Sequence, residues 1–236
     1  MKEVNDFTFI PLERLEYSFS STPLPLHFIH KKEIEAFWEQ EQKKMPFLFN
    51  GTIVTVEKAQ LSYPKALITF NKAEYKIHHW SINQKKYIPG TRGIGTGTII
   101  FDDDNYYFVR RSKVSMNKGK IASIVGGIDF STQIVDSFDK YSKQIALQEL
   151  DEEVILDRNI SEKDLITLGA LYSESEGIFV TRFIARGRII RCANDENSEV
   201  FIIPHQKLGN FYRQHKEEIL DTDRAYIDLI LKRKRI

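Results

Sequence analysis

Gln148-Glu149-Leu150-Asp151-Glu152-Glu153-Val154-Ile155-Leu156 is the stretch on which the reading of the whole chain turns. At about 100° per helical residue, Glu149, Glu152 and Glu153 fall within one arc of about 100°. Leu147, Leu150 and Val154 form an apolar stripe beside that arc. The three carboxylates therefore stand at the edge of a buried face. Such crowding is unfavourable unless a cation neutralises it. Oxygen-only ligands at this density suit Mg²⁺ or Mn²⁺, not zinc. Read alone, the same residues also fit a solvated acidic helix surface.

The surroundings of this helix, which should cover about 136–156, set the fold class. Upstream, Ile121 to Val125 reads as a strand ending in Gly126-Gly127. Before it, Thr98-Ile99-Ile100-Phe101 and Tyr106-Tyr107-Phe108-Val109 flank the turn residues Asp102-Asp103-Asp104-Asn105, a hairpin pattern. Downstream, Ile166 to Leu171 and Ile178 to Ala185 read as strands, with shorter ones at Ile189-Ile190 and Val200 to Ile203. The segment from about Gln206 to Arg235 reads as mostly helical. Strands, one internal helix, more strands and a final helix predict a mixed α/β (α+β) sandwich. The glycine-dense run Pro89 to Gly97 marks a boundary, placing an N-terminal accessory domain at 1–90 and the main domain at 91–236. The accessory part should be a small α/β unit. It has extended segments over 1–30, a helix from His30 to Lys44, strands at Ile53–Val56 and Ala66–Phe70, and a short helix at Lys72–Trp80.

Composition excludes several classes. The 236 residues carry 34 Lys+Arg against 33 Asp+Glu, a balance that argues against broad nucleic-acid binding. One cysteine, Cys192, excludes an intrachain disulfide and a cysteine zinc cluster, and fits the reducing cytoplasm. No apolar run is long enough to span a membrane, and the apolar stretch Phe7–Ile10 is too short for a signal-peptide core. The glycine run is no nucleotide loop: G-x-x-x-x-G-K-[ST] is absent, Thr98 stands where a third glycine would complete G-x-G-x-x-G, and a strand follows. His78-His79 lacks a zinc spacing and reads as packing or surface. There is no G-x-S-x-G elbow. The basic end Lys232-Arg233-Lys234-Arg235 suits a helix C-terminus.

A strand ending in Gly126-Gly127 followed by Glu149-Leu150-Asp151-Glu152-Glu153 resembles the Nudix hydrolase signature, a loop-helix-loop carrying Arg-Glu-hydrophobic-x-Glu-Glu-x-Gly. Gln148 replaces the arginine, Ile155 the closing glycine, and Lys140 stands where the pattern has a glutamate. The loop after Gly127 is lengthened, and the family's bracing arginine–glutamate pair is absent. Phe138, Tyr141 and Ile145, spaced three and four apart, are expected to pack on the sheet and brace the loop instead. Phe108 to Ser112 on the hairpin's second strand, followed by a strand and Gly-Gly, resembles the Nudix core order, and Ile34 to Trp38, Pro46 to Phe49 and His79-Trp80-Ser81 resemble the branch with an added N-terminal domain that hydrolyses UDP-glucose and UDP-galactose.

The resemblance implies a Nudix-type α/β/α sandwich and Mg²⁺-dependent hydrolysis of a nucleoside diphosphate-linked substrate. UDP-glucose would give UMP and glucose 1-phosphate. Glu149 and Glu153 would be the main metal ligands, with Glu152 completing the cluster and the Gly126 carbonyl as a further ligand. One of Arg110 and Arg111 would hold phosphate, since adjacent strand residues face opposite sides. The catalytic base would be Glu196, with Glu174, Glu176 and Glu199 as alternatives. Trp80 or Tyr87 would stack on the nucleobase, a core role being the other reading. Two rivals stand beside this: a degenerate module that binds a nucleotide without cleaving it, and a hydrolase of ADP-ribose or a dinucleotide.

Overall fold

A computed structural model describes residues 2–4, 7–20, 29–46, 48–62, 65–84, 88, 90–112, 117–131, 134, 137–175 and 177–233. The predicted hairpin is at its centre, as strands β6 (Gly95–Phe101) and β7 (Asn105–Arg111). Asp102 closes the turn: its Oδ1 accepts from the backbone N–H of Asp104 and Asn105, and its Oδ2 accepts from Tyr107 Oη at 2.6 Å. Beyond the pairs Ile100–Tyr107 and Phe101–Tyr106 the two strands splay, and the chain over 121–127 wedges between them. The sequence predicts one strand here. The structure has two, β8 (Ile121–Ala122) on β7 and β9 (Ile124–Gly127) on β6, because the segment changes neighbours at Ser123.

Strand β12 (Ile178–Arg186) runs parallel to β6, and β11 (Ile166–Ser173) antiparallel to β12. Strand β14 (Asn197–Pro204) flanks β7. On the far side of β11 lie β2 (Phe7–Ile10) and β1 (Lys2–Val4), so these two strands extend the sheet to nine strands among the described residues. Side-chain alternation gives the sheet two apolar faces. One packs through Ile100, Tyr107, Phe183 and Ala185 against Ala146 and Leu150 of the long helix Phe138–Glu153. The other packs through Ile99, Phe108 and Leu171 against Ala225, Tyr226 and Ile227 of the C-terminal helix Asp221–Arg233. The result is an α/β/α sandwich around a mixed sheet.

Residues before 90 also build a second sheet of β3 (Leu15–Phe19), β5 (Lys65–Glu74) and β4 (Thr52–Ser62). Beside it lie helices α1 (Lys31–Lys44) and α2 (Tyr75–Asn83), the latter starting three residues later than the sequence predicts because Lys72–Glu74 complete β5. His78 and His79 pack inside this unit. His78 Nδ1 accepts from the Gly93 N–H at 2.8 Å, burial pushes its pKa down to about 4, and His79 Nε2 lies 3.1 Å from Glu41. The two sheets are stitched by backbone: Val54 N–H donates to Ile128, Ile128 to Ile94, and Ile94 to Val54. The strand carrying Gly126 thus runs directly into the seam.

The long helix is α3 in chain order, with α4 (Leu208–His215) and α5 (Asp221–Arg233) after it. Ser137 caps α3 by accepting from the Lys140 N–H. Helix α3 stops at Glu153, not Leu156: β-branched Val154 and Ile155 turn extended, and Val154–Leu156 pairs as β10 with β13 (Ile189–Cys192). At its start, Phe138 is 2% exposed and stacks on Phe70 at 5.1 Å between ring centroids, while its N–H donates to Tyr17 Oη at 3.0 Å. Tyr141 packs against the same cluster. Ile145 is only partly buried and stands outside it, so the expected stripe anchors the first turns of α3 and not its acidic end. Phe138→Ala should cost about 3–5 kcal/mol in urea-induced unfolding. A loss under about 1 kcal/mol would show that this anchor does not hold the helix.

Candidate active site

Helix α3 ends in a way that is costly for a bare protein. Its last turn carries no basic residue, yet a helix C-terminus is the negative end of the macrodipole and disfavours carboxylates. Glu149 and Glu153 lie there nonetheless, Glu153 with a side chain 1% exposed. The helix end is capped from the loop 193–197. Ala193 N–H donates to the Glu153 carbonyl at 2.8 Å, and Asn194 Nδ2 to the Glu152 carbonyl at 2.9 Å. That loop thereby carries Glu196 and Asn197 to the site.

Across from the helix stands Gly126, at the end of β9. A Cβ there would lie 2.0 Å from Glu149 Oε1, so glycine alone lets this carboxylate come against the strand backbone. Burial pushes the Glu149 pKa up to about 8, with Glu153, Glu152 and Glu196 adding to it and Arg111 opposing. Burial likewise lifts Glu153 to about 7, against the pull of Arg111 and of Asn197, whose Nδ2 donates to Glu153 Oε2 at 3.0 Å. Arg111 Nη1 sits 4.0 Å from Glu153 Oε1 and 3.4 Å from the Val125 carbonyl, touching both the helix and the glycine strand.

The structure therefore brings together Glu149, Glu153, Gly126 and Arg111, with Glu152 and Glu196 within electrostatic reach. Glu152 is exposed, and its Oε1 accepts from Gln148 Nε2 at 2.8 Å. Of the two arginines, Arg110 is directed elsewhere: it pairs with Glu199 at 3.1 Å and Glu218 at 3.0 Å. Glu199 is thus paired with Arg110 on the far side of the β7–β14 strand pair. Glu174 lies in the turn between β11 and β12, and Glu176 and Tyr87 are outside the described residues. Trp80 is 4% exposed in the core with Ile34 and Ile77, and its ring packs on His30, so the structure gives it the core role. Asn197 and Asn194 were not singled out from the sequence. The polar run Ala193-Asn194-Asp195-Glu196-Asn197-Ser198 was the available signal.

The donor set is oxygen only, crowded and partly desolvated, which fits a hard divalent cation. Among the described residues, no three His, Cys, Asp or Glu side chains are grouped so that they could hold a metal ion as they stand, Glu152 being bonded to Gln148.

Neither a family model nor a curated protein matches the chain. Among solved structures, it aligns with a bifunctional NMN adenylyltransferase/ADP ribose pyrophosphatase from Francisella tularensis, complexed with AMP and a Mn ion, at 14% identity and a TM-score of 0.45. The alignment covers 67% of this chain and 46% of that one, so the chain spans less than half of that protein. It also aligns with Tm1382, described as a candidate Nudix hydrolase, at 15% identity and a TM-score of 0.45 over 84% of this chain and 96% of that one. A third is a C. elegans Ap4A hydrolase, at 13% identity and a TM-score of 0.38 over 58% and 93%.

The raised carboxylates give the cation-free fold a pH dependence. Both hold protons more tightly folded than unfolded, so their contribution is fully present below about pH 4.5 and is lost as pH rises through about 7 and 8. In chelator, the Tm of the wild type should fall as the pH is raised from about 5 to about 9, and Glu149→Gln should flatten that fall. Added Mn²⁺ should raise the wild-type Tm most at the alkaline end. A Glu149→Gln variant with the same slope as wild type would contradict the assigned crowding.

Proposed function

We propose that the chain is a Nudix hydrolase that uses Mg²⁺ or Mn²⁺ to hydrolyse the diphosphate bond of a nucleoside diphosphate-linked substrate in the cytoplasm. Residues 91–236 would be the hydrolase domain and 1–90 the accessory one, with β1 and β2 lent to the hydrolase sheet. The observation that carries this is the Glu149 carboxylate resting against Gly126 with Glu153 beside it at an uncompensated helix C-terminus. The order glycine strand, lengthened loop and Glu-Leu-Asp-Glu-Glu helix supports the family. The substrate we propose is UDP-glucose or UDP-galactose, on the resemblance of the N-terminal segments. No helix among the described residues is long and apolar enough to cross a membrane.

Glu149, Glu153 and Glu152 would hold the cation, with the Gly126 carbonyl. When bound, it supplies neutralisation of the diphosphate and acidification of the attacking water. Asn197 holds Glu153 in place by its Nδ2–H bond. Arg111 offers a guanidinium at the carboxylate end of β7, where it can meet a phosphate oxygen. Glu196, exposed on the capping loop and within electrostatic reach of Glu149 and Glu153, would take a proton from the attacking water.

A panel of UDP-glucose, UDP-galactose, ADP-ribose and diadenosine tetraphosphate, incubated with Mg²⁺ and read by product identity, tests this. UDP-glucose should give UMP and glucose 1-phosphate. UDP and free glucose would mean glycosidic cleavage and another class of enzyme. Preference for ADP-ribose, yielding AMP and ribose 5-phosphate, would reassign the substrate. Cation binding with no turnover would make the chain a binding module. Glu153→Gln keeps the size and removes the charge, so it should lower turnover by about 100-fold or more while the protein stays folded. Wild-type rates in that variant at limiting Mg²⁺ would remove Glu153 from the site.

A further inference from the structure

On the sheet face away from α3, Arg182 of β12 pairs with Asp223 of α5 at 3.4 Å, their side chains 1% and 0% exposed. Arg182 Nη2 donates to Thr222 Oγ1 at 2.9 Å, but its Nε and Nη1 have no partner among the described residues. A buried pair with imperfectly satisfied donors is poor value as a source of stability, because desolvation of both ions offsets their attraction. Its other contacts show what it holds. Asp223 Oδ1 accepts from Ser123 Oγ at 2.7 Å, and Oδ2 accepts from the Ser123 N–H at 3.2 Å.

Ser123 is the residue at which the chain leaves β7 and joins β6. It falls between two ladders, and a fully buried N–H there needs a partner from outside the sheet. Asp223 is that partner. Behind it, the Arg182 guanidinium lies against the β6 backbone: a Cβ at Gly97 would come within 2.4 Å of Arg182 Nη1 and 2.8 Å of the Ile124 carbonyl. Three residues beyond Ser123 stands Gly126, in register with Thr96 of β6 and against Glu149 on the opposite face.

We propose that Ser123, Asp223 and Arg182 form a positioning clamp. It fixes where β9 departs from β8, and through that where Gly126 meets the Glu149 carboxylate. None of the three touches the reacting groups. The consequence for cation binding rests on the proposed function; the clamp itself rests on the strand geometry.

Two measurements on the full chain separate these: amide hydrogen exchange over 123–127, and Mn²⁺ affinity by titration. The double variant Arg182→Met/Asp223→Leu removes both buried charges together, a change often tolerated in stability. It should speed exchange over 123–127 by about tenfold or more, and weaken Mn²⁺ binding by about 10–100-fold, as loss of outer groups that orient metal ligands does. Ser123→Ala, which removes only the Oγ bond, should move both in the same direction by less, and serves if the double variant does not fold. Tyr226→Phe is the control. Tyr226 shares a helix with Asp223, and the change deletes only the bond from its Oη to the Gly169 carbonyl of β11, so both readouts should stay unchanged. Unchanged exchange over 123–127 in the clamp variants would overturn the proposal, as would faster exchange with Mn²⁺ affinity intact. If the wild type binds no Mn²⁺, the proposed function falls, and the exchange result alone decides the clamp.

Discussion

A carboxylate pressed against a backbone with no side chain is the contact around which this molecule is arranged. Glu149 reaches Gly126 at a distance that any Cβ would forbid, and it does so at the negative end of a helix, beside Glu153. Each circumstance raises the free energy of the ionised carboxyl. The neighbouring architecture does little to relieve it: Arg111 approaches Glu153 only at 4.0 Å, and Asn197 supplies one hydrogen bond. Without a cation the two carboxyls hold their protons more tightly than usual, and a bound divalent cation would relieve the crowding of their ionised forms.

Holding that contact requires fixing a strand end and a helix end separately. The helix is pinned at its start by Phe138, stacked on Phe70 of the small sheet, and at its finish by the loop 193–197 capping its last carbonyls. The strand is pinned at Ser123 by Asp223, and beyond Gly127 by the backbone seam through Ile128, Ile94 and Val54. The small sheet therefore does more than extend the chain. It supplies the aromatic seat for α3 and half of the seam that ends β9.

Much of this was legible in the sequence where one local rule decides the outcome. The hairpin at 102–105 follows from turn residues between apolar runs, and the acidic arc on α3 from helical spacing. Alternation along β7 puts Arg110 and Arg111 on opposite sides of the strand, as their different ion-pair partners show. What could not be read depends on distant partners. The end of α3 at Glu153 is set by β13 and Ala193, neither visible in local periodicity. The break of the 121–127 strand at Ser123 reflects the splaying of β6 from β7. The joining of β2 to the larger sheet is a pairing with β11 across more than 150 residues of chain. Trp80, an aromatic near the seam, has its surface taken by α1 and His30. Among the glutamates named as possible bases, only the fold shows that Glu196 lies on the loop that caps α3, within electrostatic reach of Glu149, whereas Glu199 pairs with Arg110.

The cation site proposed at Glu149, Glu153 and Gly126 can be looked for crystallographically. The most direct measurement is an anomalous difference map from crystals soaked in Mn²⁺. The account predicts a peak coordinated by the carboxylates of Glu149 and Glu153 and the carbonyl of Gly126, with Glu152 turned away from Gln148 to join them. A map with no peak there at saturating Mn²⁺, with Glu149 still packed on Gly126 and Glu152 still bonded to Gln148, would contradict it.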